Sequence, residues 1–181
     1  MRQDAVEKRD RILGAARRVF AEGGQDVTMT RIAHRAGVSL ATVYRRFPTR
    51  EQLVAAAFAD QWDDCVAIQD RAMHDPDPAR ALRDLVRTYC AYELRDRGFT
   101  QVFADAAATD DGLTHEWRQA ERVISVLLEK AQADGTFRAD LSVDDFRLML
   151  IAHRGVVTAA GPNAAAASRR FLTLMLRSFE P

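Results

Sequence analysis

No run of roughly 18 uninterrupted apolar residues occurs in this 181-residue chain, so no segment is suited to cross a bilayer as a helix. The opening stretch MRQDAVEKRDR is charged and lacks the apolar centre of a secretory signal, so a cytoplasmic location with no membrane partner is expected. Cysteine is scarce. Cys65 and Cys90 stand far apart and outside any C-x-x-C spacing, and they read as reduced, buried small hydrophobes, with a thiol sensor as the alternative. The four histidines, His34, His74, His115 and His153, show no H-x₃-H or H-x-x-E-H spacing, and no metal site is expected. A glycine-rich phosphate loop and a G-x-S-x-G elbow are both missing, so neither a cofactor nor catalysis is expected. Alternation of apolar and polar residues over strand length is absent too, which argues against β-structure.

What is present is helical periodicity over most of a chain that is 48% apolar, enough for one or two small domains with a core. The fold expected is all-α, of about nine helices. Ile12, Ala15, Ala16, Val19 and Phe20 form the inward stripe of a first helix that Glu22-Gly23-Gly24 ends. Helices over 29–36 and 39–46 follow, and then one long helix from Arg50 to about Met73, roughly 36 Å at 1.5 Å per residue. Asp77 and Pro78 are suited to start a helix running to Arg95. A short helix over 99–108 and a long one from Asp110-Asp111 to Ala133 come next. Ser142-x-x-Asp145 caps another that Gly161-Pro162 ends, and Asn163 opens the last, up to Phe179. The zero net charge hides an asymmetry, because residues 1–52 hold 11 Lys/Arg against 6 Asp/Glu and residues 53–181 hold 15 against 20. The basic end is suited to nucleic acid, the alternative being a solvated basic face.

That end carries the most specific pattern, TMTRIAHRAGVSLATVYRRFPTREQL over residues 28–53. Ala33, Gly37 and Val43 have the character of a helix-turn-helix hinge: a small residue at the helix crossing, a glycine free to take φ > 0, and a branched residue pinning the second helix. Ser39 is positioned to cap that helix, which must end near Arg46 because Phe47 precedes Pro48. Thr49-x-x-Gln52 is a capping-box spacing, and Arg50 beside free N–H groups suits a phosphate oxygen.

The residues Ile12-Leu13, Ala15-Ala16, Phe20, Gly24, Thr28, Ile32-Ala33, Ala36-Gly37-Val38-Ser39, Thr42, Tyr44, Phe47-Pro48 and Leu53 resemble the DNA-binding domain of the tetracycline-repressor (TetR) family. Ala41, where the family often has glycine, and Arg50, where lysine is common, depart from it without breaking the pattern. The resemblance implies a helix-turn-helix DNA-binding domain over 1–48 and a helical ligand-binding and dimerisation domain over 49–181. It implies a homodimeric regulator, a repressor more than an activator, released from double-stranded operator DNA by a small molecule. A small all-helical enzyme is the alternative from another class. Leu40, Ala41, Thr42 and Arg45 are the candidates for base edges, and Thr28, Ser39, Tyr44, Arg46 and Arg50 for phosphates. Arg2, Lys8, Arg9 and Arg11 read either as further DNA-backbone or minor-groove contacts or as a solvated arm.

The C-terminal half carries no motif of its own. Trp62, Val66, Tyr89, Tyr92, Phe103, Trp117 and His153, with Glu121 and Arg154 as polar anchors, are the candidates for lining a pocket for a partly apolar or aromatic effector. The stripe Phe171, Leu172, Met175, Leu176 and Phe179 reads either as subunit core or, preferred here, as half of a four-helix dimer interface.

Overall fold

The computed structural model describes residues 2–22, 27–95 and 114–181, and among these every regular element is helical. The expected helix over 99–108 and the helix start at Asp110-Asp111 lie outside the described residues. Contacts divide the chain into two compact units.

In the N-terminal unit, which runs to Asp63, helix α1 (Arg2–Glu22) supplies the floor. Its Ile12, Ala15, Ala16, Val19 and Phe20 are fully buried, and both α2 (Met29–Ala36) and α4 (Arg50–Ala57) pack on it. Thr28 caps α2, its hydroxyl accepting the Arg31 amide at 3.2 Å. Gly37 ends α2 at φ 64°, the left-handed region where a side chain is strained, and the Val38 amide closes the turn on the Ala33 carbonyl at 3.1 Å. Helix α3 (Leu40–Arg46) is capped by Ser39 and stops before Pro48 as the sequence requires.

The expected continuous helix from Arg50 to Met73 is broken. Helix α4 stops at Ala57, Phe58 leaves helical geometry at φ −119°, ψ 17°, and α5 (Ala59–Met73) begins anew. The local sequence holds no proline or glycine, so the cause is tertiary. Phe58 is 1% exposed, with its ring edge-on to Phe20 at 5.9 Å, and the Arg17 Nε–H donates to the Ala57 carbonyl at the end of α4. The expected 36 Å helix becomes segments of about 12 and 22 Å. Helix α4 packs on α1, and the compact N-terminal unit runs to Asp63.

The second unit holds residues 64–95 and 115–181. Helix α6 (Pro78–Arg95) starts on Asp77, whose carboxylate accepts the Arg80 amide at 2.8 Å. Helix α7 (Thr114–Ala133) ends in a turn through Gly135 at φ 68°. Helix α8 (Val143–Ala160) begins at Ser142, whose amide and hydroxyl both donate to the Asp145 carboxylate, at 2.8 and 2.7 Å. A 3₁₀ turn at Gly161–Asn163 leads to α9 (Ala164–Arg177).

One apolar cluster joins α6, α7, α8 and α9, and it takes in two residues of the expected dimer stripe. Leu176 is 7% and Phe179 1% exposed, the Phe179 ring lies 5.6 Å from Phe137 and 4.9 Å from Phe146, and its carbonyl accepts the Arg138 amide. Both belong to the subunit core, and Phe171, Leu172 and Met175 pack against that core while half-exposed. Phe179 lies inside because α9 ends at Arg177, so the chain turns its ring inward. Phe179→Ala is therefore expected to cost about 3–5 kcal/mol of stability. A urea titration reads this as a lowered midpoint.

Candidate nucleic-acid interface and effector-binding residues

Only Val43 of the seven residues of α3 is buried, at 0% exposure, so the helix is pinned at one point and otherwise open. Leu40, Ala41, Tyr44, Arg45 and Arg46 are exposed and Thr42 half-exposed. Tyr44, at 47% exposure, is no core aromatic. Thr28, Ser39 and Thr49 are the N-caps of three successive helices, their hydroxyl oxygens accepting the amides of Arg31, Thr42 and Gln52, each at 3.2 Å. An oxygen that accepts an amide still carries its own hydrogen, and a phosphate can only accept, so Thr28 and Thr49 are chemically suited to donate to it, and Ser39 is too when Thr42 is the donor between their hydroxyls. The Ser39 and Thr42 hydroxyls are also paired, at 2.8 Å. The Arg50 guanidinium lies over the Phe20 ring, 5.2 Å from its centroid.

The N-terminal cations do not form an arm, since α1 is helical from Arg2. Lys8 pairs with Asp4 at 3.0 Å, Arg9 lies 4.0 Å from Asp10, and Arg11 donates to the turn between α2 and α3. Two cations missed in the sequence are Arg31 and Arg35, which flank the DNA-facing candidates and share the Glu22 carboxylate at 2.8 and 2.7 Å. Their i, i+4 spacing on the helix that Thr28 caps was the available signal.

The effector candidates fall in different settings. Trp62 belongs to the N-terminal unit and is half-buried, whereas Val66 of the second unit is 46% exposed. Tyr89 accepts from the Gln69 side-chain amide at 2.9 Å, and burial raises its phenol above the ordinary range. Tyr92 is 7% exposed with the Arg95 guanidinium over its ring, and burial pushes its phenol up to about 12. Glu121 pairs with Arg147 in an open surface cleft of about 420 Å³ that Arg118 and Arg122 also line, rather than inside an apolar pocket. His153 is buried in the seam of α8 and α9, with Nε2 2.8 Å from the Ser168 hydroxyl and its ring 5.8 Å from Phe171. The side chains of Phe103 and Trp117 lie outside the described residues. Burial pushes the Cys65 and Cys90 thiols up to about 12, which keeps both protonated near neutrality and argues against thiol sensing.

Residues 12–57 match the family profile described as bacterial regulatory proteins, tetR family, and residues 77–181 match that of the transcriptional regulator SbtR-like C-terminal domain. The chain belongs to the tetR family. The HTH-type transcriptional repressor KstR of Mycobacterium tuberculosis is 32% identical over 139 residues, covering 71% of this chain and 60% of its own length. The chain thus spans under two thirds of that relative. Among solved structures, the TetR transcriptional regulator SCO0520 of Streptomyces coelicolor is 32% identical with a TM-score of 0.57, covering 96% of this chain and 98% of its own. A TetR transcription regulatory protein of Mycobacterium vanbaalenii is 26% identical with a TM-score of 0.51, covering 99% of each chain.

In this tetR-family chain the buried imidazole of His153 has a consequence for stability. Desolvation lowers its pKa below the ordinary value of 6.5. The fold therefore favours the neutral ring, and the associated stability is present above pH 6.5 and falls as the pH drops below it, where the unfolded chain takes up a proton that the folded chain resists. The urea midpoint is expected to decline on acidification from that pH, and His153→Gln, which keeps a partner for Ser168, is expected to remove this component of the decline.

Proposed function

We propose that the chain is a ligand-responsive transcriptional repressor that binds a palindromic operator as a homodimer. The carrying observation is the placement of α3, with Val43 as its one buried side chain and bordered by three hydroxyl-capped helix starts and Arg50. Arg45, Thr42, Leu40 and Ala41 then meet base edges in the major groove, while Thr28, Ser39, Tyr44, Arg46 and Arg50 fix register on phosphates.

Pairing of two reading heads is supported by an apolar surface on α8 and α9, where Leu148 is 64%, Ile151 61% and Leu174 50% exposed. A groove of about 390 Å³ lined by Leu148, Ala152, Phe171 and Met175 continues it. The interface proposed from the sequence is therefore kept on these helices, and centred on Leu148, Ile151, Phe171, Met175 and Leu174 instead of Leu176 and Phe179.

The effector is a small molecule with an apolar or aromatic body and a hydrogen-bonding group, since Tyr89, Tyr92 and Gln69 offer neutral polar groups in buried surroundings. Release from DNA would act through the joint at Phe58 and not through a rigid lever. Phe58 touches Phe20, and Phe20 carries Arg50 on its ring, so movement at the joint reaches a phosphate-facing group in two contacts.

Selection from a random oligonucleotide pool is expected to enrich a palindrome. Arg50→Ala and Tyr44→Phe should weaken binding evenly across sequences, whereas Arg45→Ala or Thr42→Ala should lose about 1–3 kcal/mol of discrimination at one base position. An unenriched pool from the parent protein would refute DNA binding. For the dimer, Leu148→Asp and Leu174→Asp are expected to yield folded monomers by light scattering with weakened operator binding; dimers of unchanged affinity would displace the interface from α8 and α9.

A further inference from the structure

We infer that Arg11 is a positioning residue for the reading helix, a clasp that holds the α2–α3 turn in the geometry presenting α3 to DNA. This rests on the DNA-binding reading above. The Arg11 Nη2 donates to two consecutive carbonyls, those of Ala36 at 2.7 Å and Gly37 at 3.1 Å, across 25 and 26 residues of chain. Ala36 is the last residue of α2 and Gly37 its left-handed cap, so these carbonyls stand at the negative end of that helix, where a cation is favoured.

Besides this clasp the turn is held by two backbone bonds, the Val38 amide on the Ala33 carbonyl and the Gly37 amide on the His34 carbonyl. Only Val38 and Ser39 separate Gly37 from the first residue of α3, and Val43 is the one buried side chain of that helix. Glycine carries the largest backbone freedom of any residue, and a guanidinium bridging the peptide groups on both of its sides removes that freedom where it would swing α3. Gly37 in turn makes room for the clasp. A Cβ there would sit 3.0 Å from Arg11 Nη2, so the glycine answers both its φ of 64° and the approach of the guanidinium. Arg11 thus commits its Nη2 to the turn, and its effect on DNA passes through the placement of Ser39, Thr42 and Arg45.

A phosphate contact and a clasp differ in salt dependence, because each phosphate neutralised steepens the salt slope by about 0.9 and a guanidinium bound to carbonyls does not. The test uses the full chain with Arg11→Met, Arg11→Lys and, as a phosphate control, Arg50→Ala, on the sequence that the parent protein enriches. Affinity is measured over a salt series, and amide exchange in the DNA-free proteins. Arg11→Met is expected to bind about tenfold more weakly with an unchanged salt slope, and the Val38 amide to exchange faster while those of Val19 and Leu53 keep their protection. Arg11→Lys, which keeps a donor, should recover most of the affinity. Parent affinity in Arg11→Met overturns the inference, as does a salt slope shallower by about one, which would assign Arg11 to a phosphate. Loss of protection across α1 and α4 overturns it as well, by making Arg11 a residue of general stability. Failure of the parent to enrich any site removes the DNA-binding reading instead, and the exchange measurement, which needs no DNA, tells that failure from failure of the clasp.

Discussion

The buried stripe of α1 is the contact on which the helix-turn-helix surface depends. Ile12, Ala15, Ala16, Val19 and Phe20 are all fully buried, and α2 and α4 pack on the same helix from different parts of the sequence. Full burial contributes about 1.5–3 kcal/mol for each large side chain, so Ile12, Val19 and Phe20 together outweigh any single polar contact in this unit. Helix α3 has no comparable stake. It hangs from α2 through a turn and from the core through Val43, which leaves nearly all of its surface open for recognition.

Arginine does two different jobs on this scaffold. Arg11 and Arg17 leave α1 to cap the ends of α2 and α4, taking carbonyls that the helices cannot satisfy themselves. Arg31, Arg35, Arg45 and Arg46 stay on or near the outer surface, the first two shared by Glu22. Net basic charge at the N-terminal end is therefore a poor count of groups facing DNA, because part of it is committed to holding the unit together.

The second unit follows the same rule of separated roles. Phe137, Phe146 and Phe179 close its core by edge-on and tilted ring contacts, and what α8 and α9 leave outside is the apolar surface of Leu148, Ile151 and Leu174. Tyr89 and Tyr92 sit in buried surroundings that hold their phenols neutral, Glu121 stands in a charged surface cleft, and His153 in a helix seam. Aromatic and polar residues at helical spacing were thus distributed over core, surface and seam.

The sequence by itself determined several helix starts, their caps and the turn. Ser39, Thr49, Asp77 and Ser142 start their helices through bonds three residues long, Gly37 needs its positive φ whatever surrounds it, and Pro48 forbids α3 from running on. Such features are local, so neighbouring residues suffice to specify them. Only the tertiary structure decided the break at Phe58, where no local residue forbids a helix and a ring pulled against Phe20 does. It alone decided that Arg11 serves the turn, 25 residues away, and that Phe179 lies inside the subunit while Leu148 lies outside. Periodicity shows that a helix has an apolar face, but which surface covers that face depends on contacts between residues distant in sequence, which no local pattern encodes.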